Sequence, residues 1–560
     1  MRRTAILSSL FAILALSGVS AEQGSYSVPR KARGALDAMS GDRMRAHLKF
    51  LASDLLEGRG TGQRGGEVAA SYIATQFELM GLKPGAADGT YYQKVPLMGI
   101  TTESGTRLGL ANARGSVPMR FLEDYVAWSR TEERTTDQKS DLVFVGYGIV
   151  APEFGWDDYK GVDVAGKTLL MLVNDPPSPD PKFFGGPALT YYGRWTYKFE
   201  MGLKKGANGV ILIHTTPSAG YGFNVVQNSW SKEQPFVGRA PGERALKLES
   251  WITESKAKEL FHLAGKDLDK EREAAARRDF HPLPMGLTVT SHILSKVRPV
   301  ETANVLGLLE GSDPSKSREA VIFTAHYDHL GIGKSEKGDN IFNGAVDNAS
   351  GVSILLELAH AYLEAAAHGA RPARSILFMA AAAEEGGLRG SQYYATHPTF
   401  PPGKIAADLN IDGIQVVGKA MEYTFLGSDK TTMGPIITWA EKEYDFKNVP
   451  DPEPGQGSYY RSDHFNFAKV GVPAVSIDQG DKFEGKDAAW GKKVWEDYNE
   501  NRYHRPSDEY DPAWDFSGLV KLARISGAIG WVIASEDRLP SWRPGDEFLA
   551  ARQASWKTGS

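Results

Sequence analysis

The run Ala320-Val321-Ile322-Phe323 constrains the fold of this chain more than any other stretch. Four apolar residues with no polar alternate cannot lie on a sheet with one wet face. They read as a strand covered on both faces. Such strands belong to sheets with helices packed on either side. From residue 296 onward the pattern recurs, with apolar runs at 304–309, 320–325, 375–382, 405–411, 422–426 and 473–477. Between them the periodicity turns helical: Leu355, Leu358, Ala359 and Tyr362 predict a helix over about 350–366, and another is expected over about 516–535. The expected fold class is therefore α/β, a mixed central β-sheet sandwiched by helices.

A chain of 560 residues is too long for one core. Residues 140–295 read as a separate small α/β unit. Its expected strands are Asp141–Ile149, Gly166–Val173 and Gly209–His214, with a helix over about 196–205 and a charge-rich helical segment over 251–279. Ahead of it, Ser40 caps a helix carried by Met44, Leu48 and Leu51. A second helix runs to Met80, where Gly81 stops it, and residues 91–135 read as strands and loops. Arg2 and Arg3, the apolar stretch Ala5–Leu16 and the small residues Val19-Ser20-Ala21 form the pattern of a cleaved export leader. The expected organisation is a leader at 1–21, a first part of the main domain at 22–135, the insert at 140–295, the rest of the main domain at 296–540 and a tail at 541–560. Export places the chain in a periplasmic or extracellular compartment. No other stretch reads as long enough to span a bilayer, so no stable membrane insertion is expected once the leader is gone. The chain has no cysteine, which excludes a disulfide scaffold and leaves His and carboxylates as the metal ligands. A net charge of -5 argues against a nucleic-acid partner.

Polar residues gather where the apolar runs end. His326 and Asp328 follow the run at 320–325, and two residues apart on an extended chain they would point the same way. Asp347 sits in the small-residue loop Asn343–Gly351 just ahead of a helix. It could be an N-cap, but Asn348 or Ser350 could cap equally well and free it. Glu384 and Glu385 end the run at 375–382. Adjacent buried carboxylates are costly unless cations hold them. Asp412 ends the run at 405–411, with Asp408 an alternative further from the exit, and Tyr503-His504 lies in a proline-containing loop. Two imidazoles and three carboxylates form an N/O donor set suited to Zn²⁺, with Mn²⁺ or Co²⁺ as substitutes. Two such ions about 3.5–4 Å apart can share one carboxylate.

These segments resemble the secreted, co-catalytic two-zinc aminopeptidases of the zinc exopeptidase (phosphorylase/hydrolase-like) fold that carry an inserted protease-associated domain. The resemblance extends to Ala52–Gly62, and in the insert to Val145-Gly146-Tyr147-Gly148-Ile149 and Asp157-Asp158-Tyr159. It implies that His326 and Asp412 hold one zinc, Glu385 and His504 a second, and that Asp347 bridges them. It further implies that Glu384 is the general base, Asp328 orients His326, Tyr503 hydrogen-bonds a developing oxyanion, and Ser462-Asp463-His464 lines the site. The implied substrates are peptides. On the same fold, a glutaminyl cyclase remains an alternative. So does a carboxypeptidase, which would need an arginine cluster such as Arg461 and Arg505 could supply, and so does a receptor-like protein without catalysis.

Overall fold

The computed structural model describes residues 26–558, so the expected leader at 1–21 lies outside the described residues. The central sheet is mixed. Four parallel strands, Ser375–Ala381, Ala320–His326, Ile405–Ile411 and Ala474–Gln479, lie side by side in that order. Antiparallel strands extend both edges: the end of Leu283–Leu309 beside Ser375–Ala381, and Glu422–Leu426 beside Ala474–Gln479. All seven residues of Ala320–His326 are buried. Val321, Phe323 and Ala325 face one core with the helices Gly351–Ala367 and Ser517–Ser535, while Ile322 faces another with Tyr394 and Phe467. This two-sided covering is why the run carries no polar alternate.

Ser517–Ser535 corrects one expectation: it is long and apolar enough to cross a membrane. Its apolar surface is spent inside the protein instead, on Phe323, Leu358 and Tyr362 of the main core. A Cβ at Gly530 would lie 2.4 Å from Phe323 Cζ, so glycine is what lets this helix approach the strand. The expected tail also differs. Its segment Leu549–Thr558 is helical, and buried Arg552 donates to the carbonyls of Pro402, Ile405 and Pro540. These charge-assisted bonds dock the segment on the main domain.

A second hydrophobic core spans Ile100 to Ile293. It is built on the parallel strands Thr135–Phe144, Thr168–Leu172, Gly209–His214 and Leu248–Thr253. The segment expected as a separate unit, 140–295, shares this core with Leu108, Leu110 and Tyr125–Trp128 from outside that range. The other expected boundary, at 295/296, falls inside one continuous strand, Leu283–Leu309. Its first part pairs with Arg107–Asn112 and Thr135–Phe144, and its last part with Ser375–Ala381. One strand thus belongs to both sheets.

Candidate metal centre

The parallel strands deliver their last residues to one end of the sheet, where ligands bind in α/β folds. His326 closes its strand, Glu384 and Glu385 follow Ala381, and Asp412 follows Ile411. His326 Nε2 lies 3.2 Å from Asp347 Oδ1 and 3.0 Å from Asp412 Oδ1. His504 Nε2 lies 3.3 Å from Asp347 Oδ2 and 3.1 Å from Glu385 Oε2. The two oxygens of Asp347 are therefore divided between two imidazoles. For metal–ligand bonds of about 2.0 Å, donors at the corners of a tetrahedron lie about 3.3 Å apart. The four separations match such edges, and the residues fit two cations sharing Asp347.

Local structure explains why Asp347 is free to be shared. Gly344, at φ +56°, turns the chain into the loop, and a Cβ there would meet Asp347 O at 2.1 Å. Asn348 Oδ1 accepts from Gly351 N at 2.9 Å, so Asn348 caps the following helix. Buried Asp508 accepts from the backbone N–H groups of Val346 and Asp347 at 3.0 and 3.1 Å and fixes the loop from behind. His504 and Ala383 both hold positive φ, at 57° and 54°. Such strain in non-glycine residues persists only where the surroundings over-determine it.

The role expected of Asp328 is altered. The strand ends at His326, two residues before Asp328. His326 Nδ1 faces the backbone carbonyl of Asp328 at 3.1 Å, with the carboxylate 3.9 Å away. That carboxylate accepts instead from Glu384 N at 3.0 Å and from Thr61 Oγ1 at 2.9 Å. Asp328 thus orients His326 through its main chain and holds the Glu384 loop through its side chain. Asp408 sits deeper, accepting from Thr324 Oγ1 within the sheet. Ser462 donates to Asp412 Oδ2 at 2.6 Å, Asp463 accepts from Ser391 Oγ, and His464 packs against Tyr459. Tyr503, half exposed, stacks on His504 with ring centroids 3.9 Å apart.

Three residues escaped the sequence reading. His329 Nδ1 lies 2.6 Å from Glu385 Oε1, which adds a third imidazole to the acidic cluster. His329, Asp347 and Glu385 form one potential metal-holding group, and His326, Asp347 and Asp412 another. Asp508 is the second. The third, Arg59, is fully buried and donates to the carbonyls of Tyr327, Leu51, Asn343 and Gly344 at 2.5–2.9 Å. The glycines on either side of Arg59 mark a tight turn, but its partners are remote in sequence and leave no local signal.

The electrostatics follow from crowding. Burial opposes charge on His326, but Asp412, Glu384 and Asp347 outweigh it and raise its pKa well above the usual value. Burial also works against ionised Asp347, yet its bonds to His326 and His504 hold it well below the usual range. Glu384 goes the other way: burial, then Glu385, Asp412 and Asp463, push its pKa well up. Neighbouring carboxylates with such divergent affinities suit one to ligation and the other to carrying a proton.

The chain is 30% identical over 226 residues to leupeptin-inactivating enzyme 1 of Streptomyces exfoliatus, covering 38% of this chain and 46% of that protein. It is 26% identical over 219 residues to aminopeptidase YwaD of Bacillus subtilis (strain 168), covering 37% and 40%. The chain thus spans less than half the length of each of these relatives. Among solved structures, an aminopeptidase from Aneurinibacillus sp. strain AM-1 aligns with 91% of this chain and 97% of its own, at 18% identity and a TM-score of 0.47. Residues 304–526, which contain His326, Asp347, Glu384, Glu385, Asp412 and His504, match the model of Peptidase family M28.

Proposed function

We propose that this protein is an exported metal-dependent exopeptidase that removes N-terminal residues from peptides. The observation that carries the reading is the division of the Asp347 carboxylate between two histidine-led donor groups. Two divalent cations, zinc by donor set, would be held by His326 and Asp412 on one side and by Glu385 and His504 on the other, with Asp347 between them. When bound, they would supply Lewis acidity to the scissile carbonyl and acidify the attacking water.

The protein's own groups account for the rest. Glu384 takes the proton of the attacking water and returns it to the leaving amine, work to which its raised pKa is suited. Asp328 holds the Glu384 main chain in place, so the base is set by a backbone hydrogen bond rather than by a free side chain. Tyr503, stacked on His504, presents a phenol as a donor for the developing oxyanion. The surplus of carboxylates favours a cationic α-amine, which selects the N-terminal end of a peptide. Glu384→Gln tests the assignment. Turnover of an aminoacyl anilide is expected to fall by about 10²–10⁴-fold, with the metal content of the purified protein unchanged. Near-normal turnover in that variant would remove Glu384 from its role.

A further inference from the structure

Beyond the acidic centre, one feature has the opposite charge and no partner. A cleft of about 110 Å³ lies between the smaller core and the main domain, lined by Arg194, Trp195, Tyr221 and Trp251 from one side and Gln456 and Arg461 from the other. Arg59 and Arg552 donate to backbone carbonyls, though Arg552 Nε has no acceptor, and Arg374 pairs with Glu319 at 2.8 Å. Among the described residues Arg194 makes no such side-chain bond: its Nε is buried without an acceptor, as is Nε1 of Trp251 on the same cleft. Among the described residues no carboxylate forms an ion pair with Arg194 or Arg461. The charge acting most strongly on Arg194 is that of Arg461, and with burial it pushes the Arg194 guanidinium down to about 10, still cationic at neutral pH. An unpaired, half-buried charge beside a like charge is destabilising, and an anion seated between them offsets both costs. Arginine's planar fork is matched to a carboxylate. Arg505, the other arginine of interest in the sequence, is engaged with Glu336 at 3.3 Å.

The cleft is also tied to the metal centre. Arg461 precedes Ser462, whose hydroxyl donates to the ligand Asp412. An extended peptide covers about 3.3–3.6 Å per residue, so a few residues bridge the two places. We propose that Arg194 and Arg461 form a carboxylate subsite that takes the free C-terminus of a short peptide whose N-terminus lies at the acidic centre. The subsite rests on the exopeptidase reading above, and it makes short free peptides, rather than long chains, the preferred substrates.

The test compares the tripeptide Leu-Gly-Gly as free acid and as C-terminal amide, with leucine p-nitroanilide measured alongside. Wild-type kcat/KM is expected to favour the acid by about tenfold or more, and the ratio to fall towards one in Arg194→Gln and in Arg461→Gln. Arg461 is exposed, so its variant keeps the fold intact if the buried Arg194 variant does not. Inorganic phosphate should inhibit turnover of the acid and spare the amide. Equal wild-type turnover of acid and amide, or a ratio unmoved in Arg461→Gln, overturns the proposal. Leu-Gly-Glu amide regaining the full rate overturns the C-terminal assignment in favour of a side-chain carboxylate. If the anilide too is untouched, the exopeptidase reading fails on its own. Calorimetric binding of the acid against the amide then still decides the subsite: tighter acid supports it, and equal affinity sinks it.

Discussion

Replacing Arg59 by Met should be among the most damaging single changes outside the ligands themselves. The side chain keeps an unbranched apolar stem and loses the guanidinium with its charge. Four carbonyls, of Leu51, Tyr327, Asn343 and Gly344, lose their donor in a region closed to water. Each buried acceptor left unpaired costs about 1–3 kcal/mol. The full sum is not expected, since a carbonyl has a second lone pair and the variant no longer desolvates a guanidinium. A net loss of about 3–5 kcal/mol is the range for removing one member of a buried charged network. At about 2 °C per kcal/mol for a large domain, that is a fall in Tm of roughly 6–10 °C. Arg59 also acts on Asp347, Asp508, Asp328 and Glu385 as a neighbouring cation. The fall should therefore be larger in chelator, where no metal offsets those carboxylates, than in saturating zinc. Differential scanning fluorimetry of wild type, Arg59→Met and Arg59→Lys in both buffers gives the comparison. Lysine, which restores the charge without the planar fork, should recover part of the loss. A shift below about 2 °C in both buffers would show that the carbonyl network does not hold the Tyr327 and Asn343 segments.

His464 is fully buried and burial lowers its pKa to about 4. The unfolded chain takes up this proton near 6.5, so the contribution to stability is whole above pH 6.5 and lost as pH falls towards 4. At 1.36 kcal/mol per pH unit this is about 3 kcal/mol. His464→Phe should be flatter than wild type by that amount in urea denaturation across this window, and parallel profiles would reject the account. Arg389, which donates to Pro235 O at 2.8 Å and Gly386 O at 3.0 Å, ties the Glu384 loop to the smaller core. Arg389→Gln should cost about 1.5–3 kcal/mol and lower kcat more than it raises KM; an unchanged kcat would free the loop from this latch. Chelation should lower the Tm of wild type, with zinc restoring it, because any ion bound only by the folded state stabilises it by mass action; a Tm indifferent to both would argue against the metal centre.

Much of the site could be read from the sequence because a buried parallel strand announces its own end. The runs at 320–325, 375–382 and 405–411 stop abruptly at His, Glu and Asp, and parallel packing carries those ends to one place. Residues that act across the fold were harder to see. Arg59 lies 268 positions from Tyr327 and Asp508 lies 162 from Val346, so no local spacing could link them. His329 was missed because three residues beyond His326 the chain has already left the strand, and side-chain alternation no longer predicts its direction. Asp328 also lies beyond the strand's end, and its carboxylate goes to Glu384 rather than to His326. A main-chain carbonyl orienting an imidazole leaves no mark on residue identity.

The misplaced domain boundary has a mechanical consequence. Leu283–Leu309 alternates in burial to about residue 296 and then changes pattern without interrupting the strand, because it serves two sheets in turn. Its final residues pair with Ser375–Ala381, the strand that leads to Glu384. At the opposite edge, Gln234–Val237 pairs with Tyr92–Thr102, which itself lies along Leu283–Leu309. Pro235, in the middle of that short strand, is the group that Arg389 reaches. The smaller core is therefore joined to the Glu384 loop by a shared strand and the Arg389 guanidinium, not hung from a linker. Excising 140–295 would truncate that strand at residue 295 and remove Gln234–Val237, leaving the edge of Tyr92–Thr102 unpaired. Loss of activity in such a deletion would report damage to the sheet and nothing about substrate selection. Selection by the smaller core is better tested by point changes on its cleft wall, at Arg194, which leave the shared strand whole.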